Sequence, residues 1–479
     1  MDHYFLKESI MSFRIEYDSI GELEVPNEAL WGVQTQRAVE NFPISGIKPH
    51  KVFVQATVHI KKAAARFHGS VGWLDKIKAA AIVEASDEIL EKDKWLDQFV
   101  VDVYQAGAGT SHNMNTNEVL ANRAIELLGG KRGDYKLVHP NDHVNMGQST
   151  NDVIPTAIRV SGSLLIRELL PVLEKLSKTF KAKGKEFKAV FKSGRTHLQD
   201  AAPVTLGQEF TAYGESLRRH HGRILAASRD LEELGIGGSA VGSGLNTHAK
   251  YPVAMAKLLS EQTGLKFKPH PDLFEAMQSL APAVSVSNSL RNLALDLIRI
   301  ANDFRLMTSG PTTGFGEILL PVMQPGSSIM PGKVNPVMAE CLDMVCFQVL
   351  GYDTTVAFAA QAGQLELNVM MPVIAYNLNQ SLILMTQMLR VFDEKCVRGI
   401  KADKERCMDF AQKSVSIATA LNPVIGYEKA AEVVKTALKE GKTIKQVVLE
   451  KKLLTEEKYN NVVRLEKLVD PNGRGQGSK

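Results

Sequence analysis

The 479-residue sequence has few cysteines, few aromatic residues and no apolar run long enough to cross a bilayer. Its four cysteines include no C-x-x-C pair, so they suggest neither a disulfide framework nor a zinc site and favour a reducing compartment. The N-terminal residues mix acidic and basic side chains without an apolar core, which argues against a signal peptide. These absences predict a cytoplasmic protein without membrane association and without a bound metal.

The sequence also has no large excess of charge of either sign, because it contains 57 basic and 53 acidic residues and its net charge is only +4. That balance gives no reason to expect nucleic-acid binding. The densest basic stretch, Lys178–Lys192, alternates with apolar residues and is interpreted as the solvated face of a helix. A basic strip that binds a partner is the alternative interpretation. The composition is otherwise that of a globular protein with two or three domains.

Apolar periodicity predicts one small hairpin followed by long helices. Residues 13–25 alternate apolar and polar side chains on either side of a turn, which predicts a β-hairpin. In residues 286–307, apolar side chains recur in steps of four and three, as on one face of a helix. A second stripe at Leu295, Ile298 and Leu306 widens that face. Such a wide apolar face predicts a helix enclosed in a bundle.

The longest predicted helix runs from about Val153 to Phe191, bent at Pro171, and would span about 55 Å. Further helices are predicted over residues 206–234 and 341–360, so the fold class is mainly α. The glycine-rich stretch at residues 235–244 superficially fits a dinucleotide pattern, but it follows a predicted helix rather than a strand. The sequence therefore predicts no dinucleotide cofactor.

The loop at residues 326–336 carries the most informative chemistry and reads GSSIMPGKVNP. Its glycines and prolines favour neither helix nor strand. Lys333 offers a positive charge and Asn335 a neutral donor, which suits an anionic substrate. Ser327 or Ser328 could act as a base or nucleophile if the site lowers its pKa. The spacing does not fit a phosphate-binding loop, and a purely structural loop is the alternative.

Three other polar segments, at residues 107–118, 148–152 and 194–200, carry small hydroxyls and amides, and the last also carries His197. Each also has a structural interpretation. Ser149 or Asn151 could cap the helix that follows, and Thr196 could stabilise a turn. Together with the 326–336 loop, however, these segments contain the groups of a site for a small anion.

The 326–336 loop resembles the signature of the fumarase/aspartase superfamily, whose members eliminate across a succinyl group and release fumarate. The resemblance covers nearly the whole chain, from WGVQT at residues 31–35 to NPVIGY at residues 422–427. It implies a three-domain, mostly helical fold with a long central bundle, assembled as a homotetramer. The implied domains are an N-terminal domain at 1–149, a central helix-bundle domain at 150–404 and a small C-terminal helical domain at 405–479.

The resemblance also implies roles for individual residues. Ser327 would be the general base that removes the carbon-bound proton, and Glu340 would orient His197. Lys333 and Asn335 would hold one carboxylate of a dicarboxylate substrate, assisted by Thr196 and His197 of another chain. The donors to the carboxylate that becomes the aci form would be Thr110, Ser149, Thr150 and Ser328. Asn151, with Thr110 and His197, would lie near the leaving group, and no cofactor or metal is implied.

The predicted long helix favours a site shared between subunits on independent grounds. If residues 153–191 form one rod, Ser149 and His197 lie near its opposite ends. One chain then cannot bring both to a small pocket unless Pro171 folds the rod back. A site built from several subunits of a tetramer removes this conflict.

Two positions favour ammonia over water as the leaving group. Ser111 and Thr150 resemble the aspartase branch of the superfamily. At these positions the fumarase branch usually carries Gln and Ser, respectively. Against this, HPND at residues 139–142 resembles the secondary anion site of fumarases, and Gln361 and Met371 stand where aspartases often carry Glu. We predict elimination of ammonia from L-aspartate. Interconversion of malate and fumarate is the first alternative, and a non-catalytic scaffold of the same fold is the second.

Overall fold

The computed structural model describes residues 12–470, and its fold is mainly α, as predicted. The N-terminal extension and the tail from Pro471 lie outside the described residues, and so does the prediction that the chain has no signal peptide. Within residues 12–470, no helix combines the length and apolar character that crossing a membrane requires.

The secondary structure consists of helices with a few short strands. The α-helices are α1 (Val33–Asn41), α2 (Lys51–Ser70), α3 (Lys76–Lys92), α4 (Thr110–Leu127), α5 (Thr150–Glu186), α6 (Leu206–Ser228), α7 (Tyr251–Thr263), α8 (Leu273–Gln278), α9 (Ala281–Met307), α10 (Val337–Gln361), α11 (Met371–Lys395), α12 (Lys404–Lys413), α13 (Asn422–Ile425), α14 (Tyr427–Glu440), α15 (Ile444–Glu450), α16 (Glu456–Val462) and α17 (Leu465–Leu468). The strands are β1 (Phe13–Tyr17), β2 (Glu22–Pro26), β3 (Phe191–Thr196), β4 (Gln199–Thr205), β5 (Glu233–Leu234), β6 (Lys268–Pro269), β7 (Ile318–Leu319) and β8 (Lys401–Ala402). They form four two-stranded sheets, of which only β5–β6 is parallel.

The N-terminal hairpin and the long rod are both confirmed. β1 and β2 pair antiparallel, with Phe13 opposite Pro26. α5 is one helix of 37 residues that continues through Pro171. It ends at Glu186, five residues earlier than predicted, because Phe191 already pairs with Thr205 in the β3–β4 hairpin.

The main apolar stripe of α9 is buried as predicted, from Val286 and Leu290 through Phe304 to Met307, with at most 5% of any of these residues exposed. In the second stripe, Leu295 is 51% exposed within the single chain, so its enclosure in a bundle stays a prediction. The wide apolar face of α9 is therefore only partly covered by this chain.

Residues 12–470 divide into two compact units, and the first comprises residues 12–170, 222–292 and 347–385. Its core is an apolar cluster to which α2, α3 and α4 contribute, including Val58, Ile82 and Leu120, all 0% exposed. These helices pack because each turns a continuous apolar face inward, so the core fixes the position of the first residues of α4.

The second unit comprises residues 171–221, 293–346 and 386–470. Aromatic side chains from four helices pack at its centre: Phe180, Phe210, Phe304 and Phe392, with Phe304 stacked on Phe210 at 5.5 Å and on Phe392 at 5.9 Å between ring centroids. A separate apolar cluster, including Leu421, Val433 and Val448, joins the short helices that follow α12. The division into three domains stays a prediction.

The basic stretch at Lys178–Lys192 is a solvated face only in part. Lys178 is exposed, and Phe180 and Phe187 are buried beneath the stretch, as predicted. The interpretation was wrong for Lys192, which is buried and pairs with Glu209 at 2.8 Å and Glu317 at 3.2 Å. Lys192 lies in β3 rather than on a helix, so its side chain follows the pleat of the hairpin and points inward.

A buried carboxylate holds the start of α1 to α4. Glu118 accepts backbone N–H groups from Gly32 at 2.9 Å, Gln34 at 3.0 Å and Thr35 at 3.0 Å. These groups belong to the first turn of α1, where no helix carbonyl is available to them. Burial raises the pKa of Glu118 to about 7, and the three backbone donors oppose that rise.

Glu118→Gln should lower the free energy of unfolding by about 1–3 kcal/mol, because an amide N–H would face backbone donors in a buried site. Urea unfolding at fixed protein concentration and about pH 8, where the carboxylate predominates, measures the change. Glu126→Gln is the matched control. Glu126 lies on the same helix in partly exposed ion pairs, so its substitution should lower the free energy of unfolding by less than about 1 kcal/mol. Equal losses for both variants would contradict the role of Glu118.

Candidate active site

Four of the predicted site residues lie at the first turns of α4 and α5, within the first unit. Thr110 begins α4 and is exposed, whereas Ser149, Thr150 and Asn151 at the start of α5 are half-buried. The two helix starts lie close together, because the Asn113 side chain of α4 donates to Thr150 Oγ1 at 3.2 Å. Helix N-termini carry unpaired N–H groups and partial positive charge, so this arrangement favours an anion.

Asp152 fixes the start of α5. Its buried carboxylate accepts the backbone N–H of Ser149 at 2.9 Å and those of Gly237 and Ser239 at 2.9 and 3.0 Å. The Ser149 hydroxyl oxygen in turn accepts the backbone N–H of Asn151 at 3.2 Å, so the predicted capping role of Ser149 is confirmed. The glycine-rich stretch at 235–244 is thus hydrogen-bonded to Asp152 and helps to fix the position of the Ser149 segment.

The 326–336 segment is an irregular loop, as predicted, and its ends are tied together. The backbone N–H of Gly326 donates to the Lys333 carbonyl oxygen at 2.9 Å, and Asn335 Nδ2 donates to the Gly326 carbonyl oxygen at 2.6 Å. A Cβ on residue 326 would collide with the Lys333 carbonyl oxygen, so this position requires glycine. Inside the loop, Ser327 Oγ accepts the backbone N–H groups of Ile329 at 3.2 Å and Met330 at 2.9 Å.

Thr196 and His197 lie at the tip of the β3–β4 hairpin. Thr196 pairs with Gln199, so His197 and Leu198 form a two-residue turn, with φ angles of 56° and 59°. Both angles are left-handed, as a type I′ turn requires, although Asn and Gly are the usual residues there. Backbone strain of this kind is most often retained at functional positions. The turn leaves the His197 side chain exposed.

Arg195, which the sequence analysis did not select, fixes the base of this tip. Its guanidinium donates to Glu317 Oε1 at 2.9 Å and lies over the Phe315 ring, 4.2 Å from the centroid. Glu317 is fully buried and also pairs with Lys192. The strained turn is therefore anchored by a buried ion pair and a cation–π contact at its base.

The remaining predicted residues carry no partner of the expected kind within the described chain. Lys333 and Ser328 are exposed, and no carboxylate in residues 12–470 pairs with Lys333. Glu340 lies in the first turn of α10 and is half-buried. Among the described contacts, no hydrogen bond joins it to His197, so the proposed Glu340–His197 pair is not formed within one chain.

Sequence reasoning also missed a buried polar network beneath Thr150. Lys61 is fully buried in α2 and donates to three side-chain amide oxygens, those of Asn113, Asn145 and Gln148. Burial lowers the pKa of Lys61 to about 7, and the nearby Asp152 carboxylate opposes that shift. The available signal was a lysine on the apolar side of a helix, in VHIKKAAARF at residues 58–67.

These features define a mostly helical protein with hydroxyl and amide donors at helix starts and in tight loops. Comparison with known proteins agrees with this description. Residues 21–351 match a family model described as Lyase, and residues 417–470 match one described as Fumarase C C-terminus. The chain belongs to the fumarase/aspartase superfamily of lyases.

Relatives of both activities are similarly close. Aspartate ammonia-lyase of Bacillus subtilis is 46% identical over 464 residues, covering 97% of this chain and 98% of that protein. Fumarate hydratase class II of Halobacterium salinarum is 49% identical over 464 residues, covering 96% and 97%. The structure of recombinant class II fumarase from Schistosoma mansoni has a TM-score of 0.93 at 37% identity, covering 96% of this chain and 100% of that one. Identity alone therefore does not select the substrate.

Asp152 should give the protein a distinctive pH dependence of stability. Burial raises the pKa of its carboxyl from 3.8 to about 6, against the pull of the three backbone donors. Because the folded-state pKa is above the unfolded value, the folded protein binds this proton more tightly. The contribution of Asp152 to the free energy of unfolding therefore falls as pH rises from about 4 to about 6 and is constant above.

Relative to Asp152→Asn, the free energy of unfolding of the wild type should fall by about 1 kcal/mol between about pH 5 and about pH 7.5. Urea unfolding at fixed protein concentration measures both profiles. The exposed Asp142→Asn controls for the loss of one carboxyl group and should give a profile parallel to the wild type. A parallel profile for Asp152→Asn would contradict the raised pKa.

Proposed function

We propose that the chain catalyses the reversible elimination of ammonia from L-aspartate to give fumarate, in the cytoplasm and without a cofactor. The observation that carries this proposal is the environment of Ser327, whose hydroxyl oxygen accepts two backbone N–H groups at 3.2 and 2.9 Å. Donors aimed at one oxygen favour its ionised form. A serine that removes a proton from carbon needs that help, since free serine is a very weak base.

In the proposed reaction, Ser327 Oγ takes the proton from the carbon beside one carboxylate. The electron pair of the broken C–H bond moves onto that carboxylate, which becomes the aci form. The pair then returns to form the C=C bond as the C–N bond of the protonated amine breaks, and ammonia leaves with the electron pair of that C–N bond. The donors to the aci-carboxylate are Thr110, Ser149, Thr150 and Ser328. Preorganised donors at the point where charge develops supply the largest part of such catalysis.

The second carboxylate would be held by Lys333 and Asn335, assisted by Thr196 and His197 of a neighbouring subunit. The exposure of Lys333 and its lack of a carboxylate partner in residues 12–470 leave its charge available to a substrate. Asn151 would lie near the departing ammonia, and Glu340 would orient His197 across a subunit boundary.

The proposed assembly is a homotetramer with shared sites. The length of α5 supports it, because 37 helical residues lie between the segment at Ser149 and the hairpin that follows. Exposed apolar side chains on α9 and α10 support it further: Leu295 at 51%, Met344 at 63%, Phe347 at 56% and Phe358 at 65%. Exposed large apolar side chains of this kind are typical of protein interfaces.

Thr150 and Ser111 favour ammonia as the leaving group, as their resemblance to the aspartase branch suggests. The methyl group of Thr150 would reshape the pocket, although one methyl supplies only about 1–3 kcal/mol of discrimination. Conversion between malate and fumarate is the second candidate function. It is favoured by HPND at residues 139–142 and by the 49% identity to a class II fumarate hydratase.

Purified protein should form fumarate from L-aspartate and not from L-malate, as followed by the ultraviolet absorbance of fumarate. Formation from malate alone would overturn the proposal in favour of the hydratase. Formation from neither substrate would favour a non-catalytic scaffold of the same fold.

Ser327→Ala should lower kcat by at least about a hundredfold, because the variant lacks the proposed base. The side chain bonds only within its own loop, so the thermal unfolding midpoint and the tetramer mass should stay nearly unchanged. Loss of the quaternary structure in this variant would instead assign the serine an architectural role. Retention of full activity would exclude it as the base.

A further inference from the structure

The buried ammonium group of Lys61 is matched by three oxygen atoms. Lys61 Nζ lies 2.8 Å from Asn113 Oδ1, 2.8 Å from Asn145 Oδ1 and 3.0 Å from Gln148 Oε1. An ammonium group has three N–H donors and no acceptor. Each donor therefore has one oxygen, and the set is complete only when Lys61 is protonated.

The nitrogen atoms of two of these amides are bound to backbone carbonyls. Asn145 Nδ2 donates to the Gln148 carbonyl oxygen at 3.1 Å, and Gln148 Nε2 donates to the carbonyl oxygens of Val144 at 3.1 Å and Met146 at 3.2 Å. Both amides are therefore held in one orientation, with the oxygen towards Lys61. The segment that precedes Thr150 therefore presents two fixed amide oxygens to the ammonium group of Lys61.

The orientation of Asn113 follows from the same chemistry. Because protonated Lys61 can only donate, the atom of Asn113 that faces it in this form is the oxygen, and the nitrogen points the other way. Asn113 Nδ2 then donates to Thr150 Oγ1 at 3.2 Å and to Asn145 Oδ1 at 3.3 Å, which uses both of its hydrogens. Lys61 thus decides which face of the Asn113 amide meets Thr150.

An amide nitrogen cannot accept a hydrogen bond, so Thr150 Oγ1 is the acceptor in this contact. Its own hydroxyl hydrogen has no acceptor within residues 12–470, and the side chain is half-exposed. The hydrogen is therefore directed away from the network, towards the side that solvent or a ligand can reach.

We propose that Asn113, held by Lys61, is a positioning residue that fixes the Thr150 hydroxyl as a donor to a substrate carboxylate. The proposal rests on the proposed function in one respect, namely that Thr150 contacts the substrate. An isolated threonine hydroxyl rotates and can either donate or accept, whereas this one is set to donate before substrate arrives. A donor that is set in advance requires no reorganisation when negative charge develops on the carboxylate.

Asn113→Asp tests this directly, because it keeps the oxygen that faces Lys61 and replaces the donor to Thr150 with an acceptor. The Thr150 hydroxyl would then turn inward and donate to the new carboxylate. We expect the dissociation constant of succinate, a dicarboxylate that cannot react, to rise about tenfold in calorimetry. The KM for L-aspartate should rise in parallel.

The control is a mutant cycle at Thr150 itself. In the Thr150→Val background, which lacks the hydroxyl, Asn113→Asp should weaken succinate binding by less than about twofold. In the Thr150→Ser background, which keeps the hydroxyl, the loss of about tenfold should return. If Asn113→Asp does not fold, as judged by the thermal midpoint, Asn113→Ala replaces it and should give a smaller loss with the same dependence on the hydroxyl.

An undiminished effect of Asn113→Asp in the Thr150→Val background would overturn the proposal, since Asn113 would then act without the hydroxyl. So would unchanged succinate binding in Asn113→Asp while Thr150→Val weakens it. Failure of the proposed function gives a different result, because the wild type would then form no fumarate from L-aspartate, whatever the variants at Asn113 and Thr150 do to succinate binding.

Discussion

The start of α5 depends on two buried opposite charges. The Asp152 carboxylate accepts three backbone N–H groups and thereby joins the Ser149 segment to the glycine-rich stretch at 235–244. Lys61, in α2, binds the side chain of Asn113 in α4 and the side chains of Asn145 and Gln148 in the segment that precedes α5. A buried charge is tolerated only when it is paired or fully hydrogen-bonded, so each of the two groups depends on its own three hydrogen-bond partners. The position of Ser149 and Thr150 follows from these two sets of hydrogen bonds.

The same principle recurs wherever the fold holds a polar group in place. Glu118 satisfies the first turn of α1, and Glu317 satisfies Lys192 and Arg195 beneath the hairpin that carries Thr196 and His197. In each case a buried carboxylate binds several donors, which are backbone N–H groups at Glu118 and charged side chains at Glu317. The proposed substrate would be bound in the same manner, as a carboxylate surrounded by hydroxyl, amide and N–H donors.

Sequence periodicity predicted the helices and strands better than it predicted which of their side chains are exposed or paired. The stripe from Val286 to Met307 identified a buried helix, because a 3.6-residue repeat reports one face of one helix directly. It could not report that Leu295 is exposed within this chain, since exposure depends on what packs against that side of the helix. The solvated interpretation failed at Lys192 for a related reason: charge patterning carries no information about two carboxylates that are distant in sequence.

The sequence by itself determined the mainly α class, the polar loops and the membership of a lyase superfamily, because these depend on local residue types and their spacing. Only the tertiary structure revealed how those loops are held. The contact between Asn113 and Thr150, the two donors on Ser327 and the left-handed turn at His197 depend on backbone geometry and on residues far apart in the chain. Hydrogen-bond direction is a property of the folded arrangement, since each donor finds its acceptor only after the helices have packed.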